Sequence, residues 1–187
     1  MGLFDVLADP TVVSSGAACV ALQLLARFVC LRLPPKTAPW RSAPGFTAHQ
    51  LVCLPLMVYL AAVGVRAWAF PTDDEKALTA TATQRLLVFP HHVGTHLAKI
   101  VLGELLFWDI PTGLLVKQLR DPLMLAHHVG MAFTAFAGLG ALSAQGAGVA
   151  NYYAVFFFGF IELSGVPLTI VDVFHPKIGA WHASEQA

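Results

Sequence analysis

Polar groups that could do chemistry lie inside three of the chain's apolar stretches. They are acids, an adjacent histidine pair and one serine: Glu104, Asp109, His127, His128, Glu162 and Ser164. A charged group at bilayer depth is costly unless it faces a partner or a water-filled cavity. We therefore expect these side chains to line one internal chamber, with the rest of the chain forming its wall.

The short third loop should make Asp109 and the histidine pair neighbours. Asp109 lies about eight residues before Lys117, and His127 about six after Asp121, so both lie roughly 10 Å from the loop. A carboxylate beside an imidazole fixes its tautomer and raises its basicity, which suits a general base or a nucleophile. The alternative is a structural hydrogen bond between two helices. Adjacent helical residues point about 100° apart, so we expect only one histidine to face the chamber.

Glu162 lies near the middle of the fifth stretch, the most costly depth for a carboxylate. Ser164 and Pro167 follow about a turn later, and Pro167 should kink the helix because it has no N–H to donate. Glu162 is therefore either a binding residue of the chamber or a group that caps this kink or bonds a neighbouring helix.

A second histidine group, His91, His92 and His96, has the spacing of a metal box, since His92 and His96 share one helical face. The pair His127–His128 belongs to the opposite membrane surface in the topology given below, and no further HxxHH follows. We therefore predict no metal site and interpret these histidines as interfacial. All four tryptophans fall near predicted span ends or in the tail, as membrane-interface residues do: Trp40, Trp68, Trp108 and Trp181.

The elements that position these groups are predicted to be membrane helices. The chain has 187 residues, 57% hydrophobic and 12% charged, against about 25% charged in soluble domains. We predict one all-α polytopic transmembrane bundle with about five spans of roughly 20 apolar residues each, followed by a tail at 175–187: residues 12–33, 50–70, 97–116, 123–142 and 149–174. Small residues in the fourth span predict that it packs centrally.

Loop charges give an orientation and limit the partners. Basic residues concentrate in the first loop, the third loop and the tail, which places the N-terminus outside and the C-terminus inside by the positive-inside rule. In the second loop, Thr72 and the acids after it predict a short interfacial helix ending near Leu87. The formal net charge of zero gives no reason to expect nucleic acid, and the three cysteines form no CxxC pair.

The same residues carry a family resemblance. An acid ends an aromatic-rich span, a His-His pair opens the next, and a Glu-Leu-Ser element followed by proline lies in the one after, as in the runs FWD, LRDPLMLAHHVGM and YYAVFFFGFIELSGVP. This order resembles the TLC-domain family, named after the Lag, TRAM and CLN proteins. Upstream, Trp40–Arg41 and His49 resemble the start of that family's second span. The resemblance extends from about Trp40 to Asp172.

The resemblance implies a function in acyl transfer, in membrane lipid composition or in protein trafficking. Ceramide synthases of this family join fatty acyl-CoA to a sphingoid base, and their catalytic histidine pair maps onto His127 and His128. Here the run after the pair, GMAFTAFAGLGALSAQG, lacks the synthases' later Ser-Tyr, Asn, Arg and acidic cluster. The chain is closer to the non-synthase branch, which is linked to membrane lipid composition and protein trafficking. That family has six or more spans, so the chain resembles a partial or truncated TLC domain.

We therefore expect a protein that binds lipid or controls lipid composition, with the lipid-binding residues Glu104, Glu162, Ser164 and His49. The first alternative is an acyltransferase with His127, His128 and Asp109 as catalytic residues, acyl-CoA as substrate and no cofactor. The second is a non-catalytic accessory subunit of a large membrane complex. The expected partners are a membrane lipid and other membrane subunits that cover the open side of the bundle. The expected location is an internal membrane, the endoplasmic reticulum or an organelle.

Overall fold

The computed structural model describes residues 2–32, 43–87, 91–142, 148 and 150–174, with side chains as far as residue 171. The described residues are 85% helical, and they contain no strand. This bears out the all-α class predicted from the sequence. The Trp40–Arg41 pair, most of the predicted fourth loop and the tail with Trp181 lie outside the described residues.

Ten α-helices follow one another through the described ranges: α1 Leu3–Leu7, α2 Pro10–Arg32, α3 Pro44–Ala69, α4 Asp73–Leu78, α5 Ala82–Leu87, α6 His92–Glu104, α7 Ile110–Leu115, α8 Pro122–Gly138, α9 Ala154–Phe157 and α10 Gly165–Phe174. A π-helical turn, Leu105–Asp109, joins α6 to α7 without a break. Three 3₁₀ turns complete the chain: Lys117–Leu119, Asn151–Tyr153 and Phe160–Ser164.

Within the part of the chain that the structure describes, three segments are long and apolar enough to cross a bilayer: Pro10–Arg32, Pro44–Ala69 and Asn151–Val171. They correspond to the first, second and fifth predicted spans, and they make this a membrane-embedded protein. In the third predicted span, the helix passes through the π turn. In the fourth, α8 has 17 residues, or roughly 25 Å, which is short of the ~30 Å hydrocarbon core. The five-span arrangement is therefore not established by helix length.

Helix α6 occupies the centre of the bundle, and its closest neighbour is α2. A Cβ built on Gly16 of α2 would overlap the carbonyl of Gly103 and the Phe107 side chain, and one built on Gly103 would overlap the Val12 carbonyl. Backbones approach this closely only where both helices present small residues. We call this contact, formed by Val12, Gly16 and Gly103, the α2–α6 seam.

The small residues of α8 pack in part as predicted. Ala132 and Ala135 are buried in the core, and α8 lies against α6. A Cβ added at Gly130 or Gly138 would meet nothing within 4 Å, however, and more than half of the residues of α8 are exposed. The helix is therefore packed on one face only.

The fifth segment is irregular where a single helix was expected. Gly64 of α3 presses against Gly159, since a Cβ at Gly64 would overlap the Gly159 backbone. At this crossing the chain leaves α9, makes a turn and continues as the 3₁₀ turn that carries Glu162. Pro167 lies in the first turn of α10, where a missing N–H is tolerated. The bend thus precedes Pro167 and comes from the glycine crossing.

Candidate functional site

The polar residues predicted to share a chamber do border one cavity. It has a volume of about 370 Å³ and is walled by α3, α6 to α8 and α10, within the range of about 300 to 1,000 Å³ typical of ligand pockets. Six of the seven predicted site residues border it: His49, Glu104, Asp109, His127, His128 and Glu162. Its apolar wall includes Leu56, Leu60, Val101 and Met131.

Asp109 lies between two imidazoles. Its Oδ2 is 3.0 Å from Nδ1 of His128, and its Oδ1 is 2.7 Å from Nε2 of His49. Asp109 is buried, and both carboxylate oxygens are engaged. In its neutral form, His128 must carry its proton on Nδ1 to donate to Asp109, which leaves Nε2 as the acceptor or base. The pair of Asp109 with one of the two histidines was predicted from the short third loop.

His49 is held by a stack as well as by the carboxylate. Its ring lies 4.6 Å from that of Trp108, nearly parallel to it, and the Trp108 indole N–H donates to Gln23 Oε1 at 3.3 Å. Gln23 Nε2 in turn donates to the carbonyl of Gly45 at the start of α3. Trp108 is 1% exposed, so its interpretation as a membrane-interface residue was wrong. It fixes the orientation of His49.

One buried atom of this array has no partner among the described residues, and it is Nδ1 of His49. If Nε2–H donates to Asp109, Nδ1 is an unprotonated acceptor, so only a lone pair is unsatisfied. The sequence analysis placed His49 among the binding residues through the resemblance alone. Its pairing with Asp109, 60 residues away, had no signal in residue spacing.

The π turn determines which acids share the cavity. Glu104 and Asp109 are five residues apart, and in a regular α-helix five residues rotate the side chain roughly 140° past one full turn. The i to i+5 hydrogen bonding of a π turn brings residues five apart onto the same face. Because residues 105–109 form such a turn, both Glu104 and Asp109 reach the cavity.

The two glutamates differ from Asp109 in having no bonded partner. Glu104 is 9% exposed and Glu162 is half-buried, and neither forms a hydrogen bond or ion pair with the part of the chain that the structure describes. Both border the cavity. A carboxyl in such a position needs a hydrogen-bond donor or a cation from outside the protein to offset its lost hydration.

The remaining predicted residues are placed less centrally. His127 is exposed and borders the cavity with His128, their rings 5.6 Å apart, and it is His128 that contacts Asp109. Ser164 is exposed and donates to the carbonyl of Ile161 at 2.8 Å. It is not among the residues that border the cavity.

The other histidine group has structural contacts of its own. His91 accepts a hydrogen bond from the N–H of Gly94 and caps α6, and burial lowers its pKa. His96 pairs with the hydroxyl of Tyr59 at 2.9 Å. Within the described ranges, no group of three or more His, Cys, Asp or Glu side chains could hold a metal ion.

No protein-family model matches the chain, and no curated protein or solved structure matches it either. What the site can do must therefore be argued from its own geometry. It offers two imidazoles held by Asp109, a third imidazole from His127, two carboxyls without partners among the described residues, and an apolar wall.

Proposed function

We propose that this protein is a multi-pass, TLC-like membrane protein that binds a membrane lipid, with the lipid's polar head in the cavity. The observation that carries the proposal is the meeting of Glu104, Glu162 and the Asp109–His128 pair in one apolar-walled cavity inside a membrane protein. Intramembrane acids and histidines mark substrate pathways because their burial is otherwise unfavourable. A lipid headgroup supplies the missing hydrogen bonds, and its chains fit the apolar wall.

The proposal includes five membrane crossings. The α6, π and α7 stretch and helix α8 are the third and fourth, joined by the loop that carries Lys117 and Arg120. A short helix such as α8 crosses where the bilayer thins locally or where flanking residues reach to the interface. We place the protein in an internal membrane, with this loop on the cytoplasmic side.

Native mass spectrometry of gently solubilised protein, with lipid extraction from the same sample, tests the proposal. We expect one lipid class to remain bound at one copy per chain. His128→Ala removes one imidazole from the cavity and should reduce retention of the lipid at least fivefold. The fold should be preserved, because Asp109 keeps its bond to His49. Val129→Ala, an exposed neighbour on the same helix that does not border the cavity, is the matched control.

Absence of a bound lipid, or equal retention in both variants, would contradict lipid binding in this cavity. A stable large assembly that neither substitution alters would instead indicate the accessory-subunit function. The two results are distinguished by the mass of the intact complex.

The orientation of His128 by Asp109 favours one second function, acyl transfer. His128 Nε2 would take the proton of a lipid amine or hydroxyl as that group attacks the thioester carbonyl of acyl-CoA. The new C–N or C–O bond forms, the C–S bond breaks, and the CoA thiolate leaves and takes up a proton. His128→Gln should then abolish transfer of a labelled acyl group while lipid remains bound. Unchanged transfer in this variant would exclude His128 as the base.

A further inference from the structure

Acids outnumber basic side chains in the cavity wall. The described residues that border it include no Lys or Arg, three histidines (His49, His127 and His128) and four carboxyl side chains: Glu104, Asp109, Asp121 and Glu162. Two of these acids have internal partners, since Asp109 is held by its histidines and Asp121 accepts the N–H of Leu123 at the start of α8. Glu104 and Glu162 are left to a ligand.

A wall of this composition selects against phosphate. Protein sites that bind phosphate use Arg, Lys or helix N-termini, which supply positive charge and convergent donors. Here His49 and His128 each direct one ring nitrogen to Asp109, and in the neutral form their other nitrogens are acceptors. A phosphate group would therefore find few donors beside the unpartnered carboxyls. A headgroup that donates hydrogen bonds and has no negative charge would satisfy the same carboxyls.

The cavity also has an open side. Helix α8 packs against α6 and α7, and α10 packs against α3, but α8 and α10 do not pack against each other. Leu125 and Met131 of α8 border the cavity on one side, and Leu168 and Thr169 of α10 border it on the other. We call this gap the α8–α10 opening. Leu168 is 59% exposed, whereas Thr169 is buried, so an apolar side chain faces outward at this opening.

We propose that the cavity takes an amphiphile whose headgroup is an amine or a hydroxyl without phosphate, and that it enters from the bilayer through the α8–α10 opening. This inference rests on the proposed function and names the ligand class and its route. The headgroup donates to Glu104 and Glu162, and the hydrocarbon chain lies between Leu125, Met131 and Leu168, where it continues into the membrane.

The headgroup preference is tested by measuring lipid binding to the full chain in maltoside micelles by native mass spectrometry. The lipids compared all carry oleyl or oleoyl hydrocarbon chains and differ in their headgroups. The probes are oleylamine, dioleoylglycerol and dioleoyl phosphatidic acid. We expect the amine, the glycerol lipid or both to be retained at least tenfold more than phosphatidic acid, and the stronger of the two assigns the headgroup. In the variant with Glu104→Gln and Glu162→Gln together, this preference should fall at least threefold.

Preferential retention of phosphatidic acid would overturn the inference and leave the lipid-binding function standing. Retention of none of the three lipids, together with absence of any co-purified lipid, would overturn both. An unchanged preference in the double variant would show that the two glutamates do not select the headgroup.

The route is tested by narrowing the opening. Leu168→Trp should slow both uptake and release of the retained lipid at least fivefold, because the larger side chain narrows the opening. Ile170→Trp is the matched control, because Ile170 is an exposed residue of the same helix that does not border the cavity. Equal uptake rates in the two variants would overturn the lateral route.

Discussion

The α2–α6 seam and the α8–α10 opening lie on different sides of the same bundle and are built on opposite principles. At the seam, glycines bring two backbones into contact, and the ion pair between Lys99 and Asp9, 2.6 Å long and largely shielded, joins the same helices. At the opening, α8 and α10 stay apart, and the cavity behind them is bordered by residues of a π turn and of a 3₁₀ turn. The rigid side therefore fixes α6, and the open side holds the ligand-facing groups that α6 carries.

The largest difference should appear when one methyl group is added on each side. Gly103→Ala puts a Cβ into the Val12 carbonyl and the Ser15 hydroxyl, so α2 must move away, at a cost of about 3 kcal/mol. Gly130→Ala meets nothing and gains helix propensity, so its stability should stay the same or rise by up to about 1 kcal/mol. Thermal unfolding in detergent measures both. Equal effects would mean that α8 is as tightly packed as the seam.

On the open side, the position of α8 depends on the buried side-chain amide of Asn151 more than on close packing. Asn151 is fully buried, accepts from the N–H of His91 at 2.8 Å and donates to the carbonyl of Gly138 at 3.0 Å. It thereby ties the end of α8 to the start of α6. Asn151→Ala should cost about 2 kcal/mol because these groups lose their partner inside the protein.

Thr95→Val is the graded control for Asn151. It removes only the bond from the Thr95 hydroxyl to Asn151, which is 3.2 Å long, so the loss should be less than half as large. If Asn151→Ala lowered the stability to unfolding no more than Thr95→Val in the same measurement, the Asn151 amide would not be what holds α8 to α6.

The shielded ion pair of Lys99 with Asp9 should contribute more to stability than an exposed ion pair does. Lys99→Met leaves Asp9 without its cation in a largely buried position and should cost about 1.5 kcal/mol, less than for a fully buried pair. Lys76→Met removes the exposed pair with Asp73 and should change stability little. A Lys99 variant as stable as the Lys76 variant would show that the seam needs only its glycines.

The smallest effect is expected away from both regions, at the cap of α4. Thr72 donates its backbone N–H to Glu75 at 2.7 Å, and this bond, with one from the Thr72 hydroxyl, holds the pKa of Glu75 below its usual range. Its contribution is present above the unfolded pKa of about 4.3 and is lost as pH falls through the lowered folded value.

Thr72→Ala should speed hydrogen exchange of residues 73–78 a few-fold at pH 7, with a smaller difference at pH 3, and leave exchange in α6 unchanged. Faster exchange in α6 as well would mean that the second loop supports the bundle. The paired Thr72→Ser variant keeps the hydroxyl and should exchange like the parent.

Several elements of this fold could be predicted from the sequence because they depend on local rules. Hydropathy indicated an all-α membrane protein, and the short third loop placed Asp109 near the histidine pair. The partners of His49 and Trp108 could not be predicted, since they come from helices that are distant along the chain. The packing of α8 was predicted only in part, since small residues show where a close approach is possible and not which of them has a neighbour: Ala132 and Ala135 are buried, whereas a Cβ at Gly130 would meet nothing.

The π turn at Leu105–Asp109 has a consequence for how this gene can change in length. Removing one residue between Glu104 and Asp109 would leave these acids four residues apart in a regular helix, where residues i and i+4 share one face. Both acids would then still reach the cavity, and the later side chains would keep their directions relative to α6. The π turn is therefore a place where the chain accommodates one extra residue without changing which groups meet. A homologous sequence with a one-residue gap there should keep both acids at a spacing of four.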